Sequence, residues 1–330
     1  MGKILGIGEV MMRLSPQEGI RLVQAEDLRI FYGGSEANAI SVCADCGDET
    51  EFFTALPANP LGQAALNALR WHGIGTEKIL RPEGRLGVYY CDLGYGLRPT
   101  SVVYDRKDSA IALLDPETVD YDAMFEDVDW LHISGITSGI GANGAKLNEL
   151  ACRKAKEKGI TVSCDLNYRG KLWSKEEAMK TMIPLMQYVD ICITNEADSE
   201  NCLGIHTSHE TFLESMREIQ ETFGFDMVLS IDIDAPSTSE NYWTGYLYDG
   251  KEFKKTETIH VMPILDRIGA GDACSGGFIH AIRKWKDPQK ALEFAVYAGV
   301  MKAVVSGDLS SLTENEVLAM MSSGKNAIQR

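Results

Sequence analysis

The chain has 330 residues, 45% hydrophobic and 24% charged, which excludes a disordered or collagen-like polymer and is enough for one large α/β domain or two ordinary ones. Its 32 Lys and Arg against 48 Asp and Glu leave a net charge of −16, a balance that repels nucleic-acid backbones and anionic lipid surfaces. No apolar run reaches the roughly 20 residues of a membrane span, and the start, MGKILGIGEVMM, lacks the layout of a secretory signal; a cytoplasmic protein with no nucleic-acid or membrane partner is expected.

In chain order, Lys3 to Met12 is an apolar, β-branched run that predicts a buried first strand. Ser15 to Tyr32 is irregular, and Gly33-Gly34 leads into a helix over Glu36 to Cys46 ending at Gly47. Glu51 to Ala55 predicts a second strand and Leu61 to Trp71 a helix. Leu86 to Leu93 and Thr100 to Arg106, joined by the Gly94-Tyr95-Gly96 turn, read as paired strands of a small sheet outside the main α/β rhythm.

A regular alternation follows: strand 130–134, helix 144–158, strand 160–165, helix 175–188, strand 191–194, then helices around Asp198 and over 210–223. Strands separated by helices imply right-handed crossovers and a mostly parallel sheet. Met227 to Ile233 is a further strand, Trp243 to Lys255 with Asp249-Gly250 at its centre a hairpin, and 270–285, 288–305 and 314–320 are helices.

Eight cysteines are scattered through apolar stretches, as expected of reduced, buried thiols. Cys43 and Cys46 form a C-x-x-C, but no second ligand pair at metal spacing accompanies it, so they read as small apolar residues one helical turn apart. His206 and His209 read as surface residues of a polar turn.

The stretch that bears chemistry is Asp266-Arg267-Ile268-Gly269-Ala270-Gly271-Asp272. Small residues open the backbone N–H groups to a ligand, the helix N-terminus favours negative charge, and an Asp stands beside them. An anion hole next to a carboxylate suits phosphoryl transfer, because the carboxylate can accept the proton of an attacking hydroxyl. The competing reading is a helix with an Asp cap and a Gly-rich turn, and spacing alone does not separate the two. Tyr32 to Asn38 opens another helix after a Gly pair; Asp165 to Trp173 and Asn195-Glu196-Ala197-Asp198 each follow a strand, where parallel sheets bind ligands. The last segment could set carboxylates near hydrated Mg²⁺, or be an acidic first helical turn.

In these motifs the chain resembles the ribokinase-like (PfkB) carbohydrate kinases, and within them the 2-keto-3-deoxygluconate kinases. DRIGAGDACSGG resembles the C-terminal signature, YGGSEANAI the N-terminal one, and NEAD the Asn-x-x-Glu element with Asp198 in place of Glu; Tyr104-Asp105-Arg106, DLNYRGKLW and SGDLSSL carry the subgroup likeness. The resemblance runs from Gly8-Glu9 to Gly307-Asp308.

It implies a three-layer α/β/α ribokinase-like fold, one domain over 1–330 with lid strands from about 13–32 and 86–106. Asp272 would be the base, and the N–H groups of Gly269, Ala270 and Gly271 would hold the γ-phosphate. Gly34, Asn38, Tyr89, Tyr104, Arg106, Arg169 and Asp308 would surround the sugar, with the two arginines clamping a carboxylate and reversing the local field. Asn195, Ser230, Gly269 and Gly271 would hold ATP, and Asp198 would face Mg²⁺ through water. A homodimer formed through the lid is implied as well. Two departures stand out: residues 230–234 offer two aspartates where relatives carry a Gly-rich segment with Lys or Arg, and Cys274 stands where the signature often has Phe.

The expected activity is ATP-dependent phosphorylation of a primary hydroxyl of a sugar acid, 2-keto-3-deoxygluconate to its 6-phosphate. The alternatives are a fructokinase-like neutral-sugar kinase and a non-catalytic sugar-acid or nucleotide binder. A nicotinamide-dependent dehydrogenase, prompted by Gly6-x-Gly8, is set aside because position 11 is Met.

Overall fold

The alternation read from the sequence is built in three layers in the computed structural model, which describes residues 1–206 and 212–323. The strands are β1 Lys3–Ile7, β2 Met11–Ser15, β3 Arg29–Gly33, β4 Thr50–Phe53, β5 Val88–Asp92, β6 Ser101–Asp105, β7 Val128–Ser134, β8 Thr161–Asp165, β9 Ile191–Ile193, β10 Met227–Ser237, β11 Glu240–Tyr248, β12 Phe253–Lys255 and β13 Ile259–Val261. The helices are α1 Ser35–Asp45, α2 Pro60–Trp71, α3 Tyr121–Met124, α4 Gly135–Gly139, α5 Ala142–Glu157, α6 Lys175–Leu185, α7 Glu196–Leu203, α8 Phe212–Phe223, α9 Ala270–Trp285, α10 Pro288–Lys302 and α11 Glu314–Ser323.

The large sheet runs β12-β11-β10-β9-β8-β7-β1-β4, with β13 also on β11; it is parallel from β4 to β10 and antiparallel beyond. Buried on both faces, its strands send alternate residues to two cores. Ile4 and Ile191 pack with Ile40, Phe278 and Phe294 of α1, α9 and α10, whereas Leu5 and Cys192 pack with Leu147, Met182 and Ile219 of α5, α6 and α8. All eight cysteines are free and buried; burial pushes the Cys43 and Cys46 thiols up, which keeps them protonated and inert.

A separate four-stranded sheet has the order β3-β2-β5-β6. The first predicted strand is therefore two: the chain leaves the large sheet at Ile7 and enters the small one at Met11. Gly8 marks the break, where a Cβ would come within 2.1 Å of Glu36 Oε2. A strand, not a helix, follows β1, so the dehydrogenase reading has no structural basis.

The inner face of the small sheet carries the in-register row Phe31, Arg13, Tyr89 and Tyr104, and the outer face the row Ile30, Leu14, Tyr90 and Val103. Hydrogen bonds at two places tie this sheet to the main body at the cleft mouth: Lys171 Nζ donates to the Val102 carbonyl (2.9 Å), and at the β5–β6 turn Thr238 N donates to the Gly96 carbonyl (2.9 Å) while Gly96 N donates to Ser239 Oγ (3.0 Å). The second exists because β10 continues past the predicted end at Ile233 to Ser237, carrying its hairpin tip to the β5–β6 turn. His206 is exposed, as expected; His209 and the first two residues of the predicted 210–223 helix lie outside the described residues.

Candidate active site

The C-terminal ends of the parallel strands open onto a cleft of about 370 Å³, capped by the inner face of the small sheet. Gly34, Asn38, Tyr89, Tyr104, Arg106, Asp165, Arg169, Asn195, Asp198, Gly269, Gly271, Asp272 and Asp308 all line it.

Asp272 sits in the first turn of α9, whose cap Gly269 adopts φ 80°. Gly269 is needed twice: that φ lies in the left-handed region, and a Cβ would come within 2.2 Å of the Asp308 carbonyl oxygen. The Asp272 carboxylate is gripped from α1, accepting from Ser35 Oγ at 2.8 Å and from Asn38 Nδ2 at 2.7 Å. Burial raises its pKa, and these two hydrogen bonds pull against that rise. Asn167, held at φ 41°, donates to Ser35 Oγ at 2.7 Å and completes the relay.

Asn38 thus holds the carboxylate with one amide N–H, its Oδ1 accepting from Gly34 N at 3.2 Å, while its side chain also lines the cleft. Gly34 allows the close approach, since a Cβ there would overlap the Glu9 carbonyl at 1.8 Å.

Three sequence expectations need correction. Ala270 N–H is spent on the Arg267 carbonyl (3.2 Å), so among the described residues the open N–H groups of this turn are those of Gly271 and Asp272 beside Gly269. Ser230 is 1% exposed and turned away from the cleft: 230–234 stays in the β10–β11 ladder, and strand alternation gives the wall to Ile231 and Ile233 instead. The arginines do not both reverse the field, because Arg106 forms an ion pair with the buried carboxylate of Glu9, its Nε donating at 2.8 Å. Arg169 is exposed and donates to the Tyr168 carbonyl at 3.0 Å, leaving its charge available to the cleft.

Asp308 is likewise engaged. Tyr89 Oη donates to its Oδ1, and Arg13 Nη1 reaches its Oδ2 at 2.9 Å; Arg13 also pairs with Asp266 at 2.9 Å and has no exposed surface. Burial opposes charge on Arg13, but Asp308 and Asp266 outweigh it and hold the guanidinium protonated.

Asp165, Asp198 and Asp272 gather on the opposite wall. Asp165 is pushed well above the usual carboxylate range, first by burial and then by the negative charges of Asp272 and Asp198. Asp198 accepts from Asn195 Nδ2 (2.8 Å) and Tyr168 N (3.2 Å), while Asn195 caps α7 by accepting from Asp198 N (2.9 Å). NEAD is thus an acidic first helical turn, and its Asn195 and Asp198 also line the cleft. Among the described residues no three His, Cys, Asp or Glu converge as a closed metal cage. Crowded carboxylates without such a cage fit a largely hydrated Mg²⁺ carried mainly by a nucleotide's phosphates. Cys274 packs against α10, where a Cβ on Gly299 would come within 2.2 Å of its Sγ; the small side chain suits this close helix contact.

A family model described as pfkB family carbohydrate kinase matches residues 1–315. The chain belongs to the pfkB family of carbohydrate kinases. It is 30% identical to the 2-dehydro-3-deoxygalactonokinase of Haloferax volcanii over 99% of both chains, and 24% identical to the 2-dehydro-3-deoxygluconokinase of Thermoproteus tenax over 94% of this chain and 91% of that one. The crystal structure of the 2-dehydro-3-deoxygluconokinase of Thermotoga maritima superposes with a TM-score of 0.95 at 38% identity, covering 97% of this chain and 98% of that one. As a member of this family the protein is a phosphotransferase with an alcohol group as acceptor, with a ribokinase-like fold. No helix among the described residues is long and apolar enough to cross a membrane.

Glu9, Arg13, Ser35 and Asn167 were not singled out by the sequence. Ser35 and Asn167 lie inside the quoted motifs YGGSEANAI and DLNYRGKLW, so adjacency to the signature residues was the available signal. Arg13 gave none, since an arginine in an alternating strand reads as solvent-facing.

Proposed function

We propose that this kinase transfers the γ-phosphoryl group of ATP to a primary hydroxyl of a sugar acid, 2-keto-3-deoxygluconate or its galacto epimer, in the cytoplasm. The observation that carries this reading is the placement of Asp272, oriented by Ser35 and Asn38, beside the open N–H groups of the α9 turn and in one cleft with Arg169. Asp272 takes the proton of the attacking hydroxyl, and the helix N-terminus receives charge on the moving phosphoryl group. Arg169 meets the substrate carboxylate, a group that neutral hexoses lack. Asp165 and Asp198 would hold a hydrated Mg²⁺, which would neutralise phosphate charge. The open strand ends near Asn195 and the apolar wall of Ile231 and Ile233 receive the nucleotide.

The small sheet serves as a lid that excludes water, so that the sugar hydroxyl rather than water accepts the phosphoryl group. Its outer row, with Ile30 and Val103 each 56% exposed, fits the same surface of a second copy, giving a homodimer.

A neutral-sugar kinase is the second reading, favoured by one observation: Glu9 already neutralises Arg106. A coupled ADP-release assay with ATP, Mg²⁺ and 2-keto-3-deoxygluconate, 2-keto-3-deoxygalactonate, gluconate, fructose and ribose decides between them. Selective turnover of a keto-deoxy acid supports the first reading, and turnover of fructose or ribose alone replaces it with the second.

A further inference from the structure

The arginines around the cleft differ in how their charge is balanced. Arg13 is shared by Asp266 and Asp308, and Arg106 is held by Glu9. Arg169 lies in the field of the acidic wall, where it lowers the carboxyl pKa values of Asp198 and Asp272. Arg267 also lines the cleft, yet among the described residues no carboxylate or carbonyl pairs with its side chain. It is half-buried, and burial alone acts on its charge, lowering the guanidinium pKa with nothing to offset the loss of water. A partly desolvated cation in a chain of net charge −16 is poised for an anion brought by a ligand.

Its place in the chain indicates which anion. The Arg267 carbonyl accepts from Ala270 N–H, so Arg267 opens the same turn that presents the free N–H groups of Gly271 and Asp272. That turn also holds the base. The carboxylates of Asp165, Asp198 and Asp272 crowd this wall, and a phosphoryl group arriving there adds further negative charge. A helix N-terminus offers roughly half an elementary charge, which is less than the carboxylate beside it.

We propose that Arg267 is a further catalytic residue, whose guanidinium binds the equatorial oxygens of the phosphoryl group in flight between nucleotide and acceptor. As the acceptor oxygen forms its bond to the γ-phosphorus, the bond from that phosphorus to the β,γ-bridging oxygen breaks, and its electron pair leaves with ADP. The hydroxyl proton passes to Asp272. Arg267 exchanges no proton, because a guanidinium keeps its charge throughout; it stabilises charge that is spread most widely midway through the transfer.

The inference rests on the phosphotransferase reading but not on the identity of the sugar, so its test uses whichever acceptor the wild-type chain turns over. Steady-state kinetics of Arg267→Ala, Arg267→Gln and Arg267→Lys would be paired with calorimetric binding of ADP alone and of ADP with aluminium fluoride, a mimic of the moving phosphoryl group. Arg267→Ala and Arg267→Gln are expected to lower kcat by about 10²–10³-fold with little change in acceptor KM. Both should weaken ADP–aluminium fluoride but not ADP, and Arg267→Lys should restore part of kcat. Arg267→Gln keeps the length and polarity of the stem, so it reads out the charge if the alanine variant folds poorly. A rise confined to the KM of an acid sugar would place Arg267 on the substrate carboxylate and overturn the proposal. Equal losses for ADP and its aluminium fluoride complex would reduce Arg267 to a ground-state nucleotide contact, and unchanged kcat in a folded variant would remove it from the reaction.

Discussion

The Asn38 amide donates to Oδ2 of Asp272 at 2.7 Å, joining α1 to α9 across 234 positions of sequence. With Ser35 on the other oxygen, the carboxylate is fixed before any substrate enters. Asp272→Asn keeps this shape, since the amide oxygen can face Asn38 and the amide N–H₂ can face Ser35 Oγ, but it loses basicity. Turnover is expected to fall by about 10²–10⁴-fold, with sugar binding by calorimetry largely retained; near-normal turnover would refute the assignment of the base.

The hydrogen bonds on Asp272 also set the pH response. Burial raises its pKa and the Ser35 donor lowers it, so Ser35→Ala raises it further. The base works deprotonated, and activity is lost as pH falls through its pKa. The acid limb of the kcat/KM profile should therefore move to higher pH in Ser35→Ala, whereas an unmoved limb would assign that ionisation to another group.

Arg106 and Arg169 are expected to fail differently. Arg106→Ala leaves the Glu9 carboxylate, 3% exposed, without its counter-charge, which costs about 3–5 kcal/mol and lowers Tm; adding Glu9→Gln should recover most of that loss. Arg169→Ala removes an exposed group whose hydrogen bond, among the described residues, goes to a local carbonyl, so stability should stay within about 0.5 kcal/mol while KM rises far more for an acid sugar than for a neutral one. Equal losses for both sugars would end the carboxylate role of Arg169.

The outer row of the small sheet makes the assembly testable. Val103→Glu places a charge on a side chain that is 56% exposed in the monomer, so thermal stability of the subunit should change little. Sedimentation velocity is expected to show a dimer for the wild-type chain and a monomer for the variant; a wild-type monomer, or a variant that still dimerises, would move the interface elsewhere.

Much of this was legible in the sequence because the relevant signals are local. The helix over 270–285 was read to the residue, since Gly-Ala-Gly opens it and an apolar face runs its length. The parallel sheet followed from strands alternating with helices. What escaped depended on distant neighbours. One apolar run hid the switch from β1 to β2, because periodicity does not say which sheet a strand joins. β10 outran its predicted end because Asp234 to Ser237 are held by the hairpin with β11 and not by their own propensity. The resemblance implies a nucleotide contact for Ser230, whereas the chain there remains a strand with the opposite face inward. The charge of Arg106 was counted as free because Glu9, 97 positions earlier, gives no sign in sequence that it will neutralise it.

The pair between Arg13 and Asp308 spans 295 positions, and Asp272 depends on donors from residues 35 and 38. On the ribosome, the small sheet and helix α1 are made early, yet the partners that fix them emerge only when the chain is nearly complete. Until then Arg13 lacks both of its carboxylate partners, Asp266 and Asp308, so the nascent protein carries an unpaired cation and open strand edges for most of its synthesis. Loop-closure entropy must be met before such distant contacts repay it. C-terminal truncation before residue 308 should accordingly abolish not only catalysis but also the seating of strands made at the very beginning of translation.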